Sequence, residues 1–218
     1  LNFTTSEENY LKAIFHLQEK HGTVTTNALA KDLQARAASV TDMMKKLSAK
    51  KLLHYKPYYG FTLSAEGKRI ALHIIRRHRL WEYFLAEKLH FGWNEVHSLA
   101  EELEHVSSRE LTDRLDAFLN YPAFDPHGDP IPNSKGKIRT MSKLPLSDLA
   151  LQEPAEVCHV TNQTEEMLEL LQHRQIEIGS KVEVKKRFGF DGSMEIKVKG
   201  QVFTISRQLA TSIYVKRK

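Results

Sequence analysis

A mainly α chain that closes with a small β module is the fold class the sequence predicts, and three observations predict it. Apolar residues recur at helical spacing through roughly the first 120 positions. From Pro122 to about Pro145 the pattern breaks, in a stretch rich in Pro and Gly with no repeat period. Beyond it, KVEVKKRF, SMEIKVKG and QVFTIS alternate like strands separated by Gly-containing turns.

Ser6 reads as the cap of the first helix, with Glu7 and Glu8 in the first turn, where acids suit the helix dipole. Tyr10, Leu11, Ile14 and Leu17 share one face, and the helix should stop at His21-Gly22. VTTNALAKDLQARAASVTDMMKKLSAKKLL then holds two short helical patterns with a tight connection. In the second, Val40, Met43, Met44 and Leu47 form an inward stripe. LLHYKPYYGFTLS reads as a hairpin turning at Pro57-Tyr58-Tyr59-Gly60. Ser64 caps a long helix to about His90, followed by helices from about Asn94 to Val106 and from about Ser108 to Tyr121. TEEMLELLQ adds a short helix ahead of the strands.

Two short helices and a hairpin make a winged helix-turn-helix, and its charge fits a polyanion. Residues 1–80 carry fourteen Lys and Arg against six Asp and Glu, whereas residues 81–150 carry seven against twelve. Lys45, Lys46, Lys50, Lys51 and Lys56 would contact phosphates, with Tyr58 and Tyr59 at the wing tip. Arg36, Ser39, Thr41 and Asp42 are the residues placed for base edges of double-stranded DNA.

The middle helices carry a second chemistry. His78 and Glu82 are four apart in RRHRLWEYFL, and His97, Glu101 and His105 recur every four residues in EVHSLAEELEHV, with Glu104 beside His105. Asp125 and His127 follow in the linker. Imidazoles and carboxylates at such spacing converge on one divalent ion. A metal-dependent enzyme built on a helix-turn-helix scaffold is the alternative. No nucleophile elbow, phosphate loop or dinucleotide-binding glycine motif supports it. The single cysteine, Cys158, excludes an internal disulfide and reads as a small buried side chain. No apolar run approaches a membrane span and no secretory signal is visible, so a cytoplasmic protein without a membrane partner is expected.

ENYLKAIF, SVTDMMKKL, KPYYGFTLSAEG, RRHRLWEYFL, EVHSLAEELEHV, RLDAFLNYP and DPHGDPIP occur in that order. Together they resemble the diphtheria-toxin-repressor family of bacterial metalloregulators, and more closely its manganese-sensing branch. The resemblance implies a homodimeric repressor that binds operator DNA when loaded with Mn²⁺ or Fe²⁺ and controls metal-uptake genes. It implies a winged helix over 1–75, a dimerisation and metal domain with linker over 76–145, and an SH3-like β-barrel over 146–218. Two metal sites per subunit are implied. One uses His78, Glu101, Glu104 and His105 with a first-helix ligand, for which Asn9 stands where Asp or Met is usual. The other uses Glu82, His97, Asp125, His127 and a C-terminal acid, best matched by Glu166, with Glu165 or Gln163 as alternatives; His78 could lean to either. Lys12 stands where some manganese sensors have glutamate, so a closely spaced ion pair is not expected.

Overall fold

The computed structural model describes residues 3–56, 59–106, 108–161 and 163–217. Helix α1 (Thr5–His21) starts earlier than the sequence suggests, because Thr4 and not Ser6 is its cap. The Thr4 hydroxyl accepts from the Glu7 amide and the Glu7 carboxylate accepts from the Thr4 amide, a reciprocal box that satisfies two otherwise orphaned donors. Gly22 ends the helix at positive φ, where glycine carries no Cβ penalty. Helices α2 (Thr26–Asp32) and α3 (Ala37–Ala49) come next, the first capped by the Thr25 hydroxyl.

Strands β1 (Leu53–Lys56) and β2 (Gly60–Leu63) form the antiparallel wing. Of its expected turn, Pro57 and Tyr58 lie outside the described residues. Val24 adds a bridge to Phe61, which requires close approach at Gly60: a Cβ there would collide with the Val24 carbonyl oxygen. Leu11, Ile14, Leu29, Val40, Met44, Leu47, Leu52, Ile74 and Ile75 make one buried core. Helix α4 (Ala65–Leu89) is capped by Ser64, whose hydroxyl accepts from the Gly67 amide. Helices α5 (Val96–Val106) and α6 (Arg109–Phe118) are shorter than expected at one or both ends.

Two compact units result. One comprises residues 1–78, 101–115 and 132–137. The other comprises 79–100, 116–131 and 138–218. The second contains a six-stranded antiparallel sheet in the order β3-β8-β4-β5-β6-β7. Its strands are β3 (Leu144–Pro145), β4 (Pro154–Val160), β5 (Lys181–Arg187), β6 (Met194–Val198), β7 (Gln201–Ile205) and β8 (Ile213–Arg217). Helix α7 (Glu165–His173) lies between β4 and β5, and α8 (Arg207–Ser212) between β7 and β8. Register shifts at Val157/His159 and Val184/Lys186 bend this sheet. Cys158 sits in the first shift, buried as expected.

Candidate metal centre and DNA-reading face

Helix α3 presents the side expected of a recognition helix. Val40, Met44 and Leu47 are buried, while Arg36, Ser39, Thr41, Asp42, Lys45 and Lys46 are exposed. Thr41 donates its hydroxyl back to the Ala37 carbonyl, and Lys45 lies 3.6 Å from Asp42. On the wing, Lys56 is exposed and its ammonium stacks 4.5 Å over the Tyr59 ring. Lys46 and Lys50 are not purely solvent-facing: both reach the buried Glu7 of α1, at 3.2 and 2.6 Å. Burial raises the Glu7 pKa, but the two ammoniums and the Thr4 amide outweigh it and hold the carboxyl down at about 2.

Most of the donors expected to bind metal gather in two clusters, one inside each unit. In the first unit, Glu101, Glu104 and His105 offer ligand atoms within 4.8 Å of one another. His78 Nδ1 comes within 2.7 Å of Glu104 Oε2, and Asn9 Oδ1 is buried without a hydrogen bond among the described residues. Two residues that the sequence does not single out as ligands complete this cluster. Glu8 accepts from His105 Nδ1 at 2.8 Å and from Arg77 at 2.6 Å. Lys12 donates to Glu101 Oε1 at 2.5 Å and to Glu104 Oε1 at 2.8 Å. Burial pushes the Glu104 pKa up, but His78 and Lys12 bring it below the usual carboxylate range. The expected site therefore already faces an ammonium.

In the second unit, Glu82, Asp125 and His127 are all buried and also offer ligand atoms within 4.8 Å of one another. The linker segment that carries two of them is ordered by Asp125 itself, whose Oδ1 accepts from the amides of His127 and Asp129, each at 2.9 Å. Its seating on β4 depends on Gly128, at φ +85°, because a Cβ there would collide with the Cys158 carbonyl oxygen. His127 Nε2 is 3.2 Å from the Trp93 carbonyl oxygen, which can only accept, so this nitrogen carries the proton. The lone pair is left on Nδ1, which is buried, makes no hydrogen bond among the described residues and lies 4.0 Å from Glu82 Oε1. His97, half exposed, approaches Glu82 at 3.1 Å.

Electrostatics mark this second cluster as short of positive charge. Burial, then the Glu82 and Asp129 charges, push the Asp125 pKa well above its usual value, against the pull of Arg79. Arg79 lies 3.5 Å from Asp125 but also 3.4 Å from Asp129. Asp129 itself is held low despite burial, by His159 at 3.2 Å, Arg79 and Gln163. Burial lowers the His127 pKa, which keeps the imidazole neutral and able to ligate.

The structure does not bring Glu166 to this cluster: its side chain is exposed on the first turn of α7, whose inward positions are Met167 and Leu168. Glu165 is exposed as well, and Gln163 is spent on Asp129. His78 and Glu82, one turn apart on α4, divide between the two clusters. The parts played by Asp129 and His159 are not readable from sequence, because they depend on the linker meeting β4, which no local spacing reveals.

A winged helix with a basic outer face, in one chain with buried carboxylate–imidazole clusters, defines a DNA-binding regulator that responds to a metal ion. The family described as the N-terminal DNA-binding domain of iron-dependent repressors matches residues 2–61. Its metal-binding and dimerisation domain matches 64–133, and a FeoA domain matches 144–217. The HTH-type transcriptional regulator MntR of Oceanobacillus iheyensis is 35% identical over 118 residues, 54% of this chain and 80% of that one. The iron-dependent repressor IdeR of Mycobacterium leprae is 32% identical over 125 residues, 57% of this chain and 54% of its own length. A solved structure of a manganese-dependent transcriptional repressor in complex with manganese superposes with a TM-score of 0.87 at 32% identity, over 97% of this chain and all of that one. The chain belongs to the iron-dependent, or diphtheria-toxin, repressor family of metal-dependent transcriptional repressors, as its motifs implied. These are DNA-binding repressors, and nothing in the comparisons supports the enzyme alternative. No helix among the described residues is long and apolar enough to cross a membrane.

Proposed function

We propose that this protein is a homodimeric repressor of metal-uptake genes in the cytoplasm, and that Mn²⁺ or Fe²⁺ held by Glu82, Asp125 and His127 switches on its operator binding. The observation that carries this reading is the buried His127 Nδ1 lone pair, set by the Trp93 carbonyl and turned toward two carboxylates with a deficit of positive charge. An all-oxygen and nitrogen donor set suits a hard or borderline divalent ion. When bound, the ion supplies charge neutralisation and a cross-link between α4 and the linker. Glu82 and Asp125 then need no proton to remain buried together, and His97 is within reach of Glu82 to complete the set.

The working division of the chain is 1–75 for DNA reading, 76–145 for dimerisation and metal binding, and 146–218 for the SH3-like module. In a dimer, two copies of α3 must reach successive major grooves about 34 Å apart. Arg36, Ser39, Thr41 and Asp42 would read base edges there. Lys45, Lys46, Lys56 and Tyr58 would hold phosphates. A metal ion need favour the DNA-competent arrangement by only about 1–3 kcal/mol to act as the switch.

The test titrates Mn²⁺, Fe²⁺ under anaerobic conditions, and Zn²⁺ while measuring binding to promoter fragments of metal-uptake genes at fixed ionic strength. Metal should tighten binding roughly 5- to 150-fold for such a coupling. Glu82→Gln should remove the response and leave weak, salt-sensitive DNA binding in place. Unchanged affinity with every metal would refute the reading.

A further inference from the structure

The cluster in the first unit differs from the second in one decisive respect: an ammonium of the chain stands between two of its candidate ligands. Lys12 comes off α1 with its side chain only 13% exposed, and its ammonium stands between Glu101 and Glu104 of α5 at 2.5 and 2.8 Å. Glu104 is completely buried. We infer that Lys12 is a tethered cation that takes the place of a metal ion among Asn9, Glu101, Glu104 and His105, so that α1 is held to α5 without metal and each chain binds one divalent ion. The inference rests on the reading that the Glu82, Asp125 and His127 cluster is the one that takes the ion.

Geometry and charge agree on this. An ion coordinated by Glu101 and Glu104 would lie about 2.0–2.2 Å from their oxygens. The Lys12 ammonium already approaches Oε1 of both residues. Three carboxylates, Glu8, Glu101 and Glu104, face two permanent cations, Lys12 and Arg77, before either histidine gains a proton. Glu104 Oε2 lies 2.7 Å from His78, and the two Glu8 oxygens serve Arg77 and His105. Asn9 Oδ1 and His105 Nε2 are buried without a hydrogen bond among the described residues, and His105 Nε2 lies 3.4 Å from the same Glu104 Oε1 that Lys12 reaches. A divalent ion shared by Glu101 and Glu104 would have to sit beside the Lys12 ammonium and against its charge. By contrast, Glu82 and Asp125 face a guanidinium that is shared with Asp129.

Equilibrium dialysis of the full chain against Mn²⁺, with Co²⁺ absorption as a spectroscopic check, counts the ions directly. The wild type should bind one ion per chain. Asp125→Asn should reduce the count to zero and Glu104→Gln should leave it at one. Lys12→Glu should raise it to two, with a second Co²⁺ band. Hydrogen exchange supplies a readout independent of the count: α1 amides should be protected in metal-free wild type and should exchange faster in Lys12→Met. Two ions in the wild type, one of them lost in Glu104→Gln, would overturn the tethered cation while leaving the metal-dependent reading intact. No ion in the wild type would overturn both. Because the wild-type and Glu104→Gln counts do not involve substitution of Lys12, misfolding of the Lys12 variants would not rescue the inference.

Discussion

Glu7 Oε1 accepts a hydrogen bond from Lys50 Nζ at 2.6 Å across 43 positions of sequence, tying the first turn of α1 to the end of the recognition helix. The same carboxylate completes the capping box with Thr4 and lies 3.2 Å from Lys46. One side chain thus fixes where α1 begins and where α3 rests against it.

Glu7→Gln should destabilise the winged helix by about 1–3 kcal/mol, the range for losing charge-assisted hydrogen bonds at a buried acceptor. The pH dependence has a definite sign. The carboxyl is held at about 2, below its ordinary 4.5, so its contribution is complete above about 4.5 and disappears as pH falls through about 2. Denaturation curves of wild type and variant should converge across that acid window. A constant gap down to the lowest pH would refute the assignment.

Lys45 and Lys46 are adjacent on α3 but should behave differently. Lys45→Ala should weaken DNA binding uniformly across sequences and reduce the slope of log affinity against log salt by about one, with little change in melting temperature. Lys46→Ala should also lower the melting temperature, because Lys46 is a partner of the buried Glu7. Fluorescence anisotropy at several salt concentrations, paired with thermal melts, separates the two effects.

Asp125→Asn should make the metal-free protein more stable. The amide keeps the oxygen that accepts from the His127 and Asp129 amides, and it removes a buried charge facing Glu82 and Asp129. Each kcal/mol gained should raise the melting temperature by roughly 2–4 °C. The stabilisation that Mn²⁺ gives the wild type, about 2.7 kcal/mol at a hundredfold excess over its dissociation constant, should be lost. A variant less stable than wild type without metal would contradict this picture.

Gly128→Ala should cost about 2 kcal/mol or more, through left-handed strain together with the collision against the Cys158 carbonyl. It should also weaken Mn²⁺ binding, although residue 128 supplies no ligand, because the turn presenting Asp125 and His127 must move. Isothermal titration of the variant against Mn²⁺ tests this; unaltered affinity would show that the turn is not what positions the donors.

Local chemistry explains which features are legible in the sequence. The stripe of Val40, Met44 and Leu47 declares α3, and the spacing of Glu101, Glu104 and His105 declares a ligand face, because both are helix periodicities. The cap of α1 is ambiguous in sequence since Thr4, Thr5 and Ser6 are all capable caps, and only the reciprocal bond with Glu7 selects the first. Strand β4 gives little strand signal because it lies in the sheet interior and its burial does not alternate cleanly. Lys12 is legible as an obstacle to a second ion, but its seat between Glu101 and Glu104 needs contacts across about ninety positions. Glu166 misleads for the converse reason: an acid beside a motif says nothing about which way its helix turns it.

Helix α1 carries its obligations on a strict angular schedule. Glu7 meets α3, while Glu8 and Lys12, one turn apart, meet α5. Each residue added to a helix rotates every later position by about 100°. A single insertion between Glu7 and Glu8 would leave the cap intact yet swing Glu8 and Lys12 away from α5 together. Length in this segment is therefore as constrained as residue identity. The first helix can accept substitutions one at a time, but a shift of even one residue would uncouple the reader of DNA from the helix that holds it.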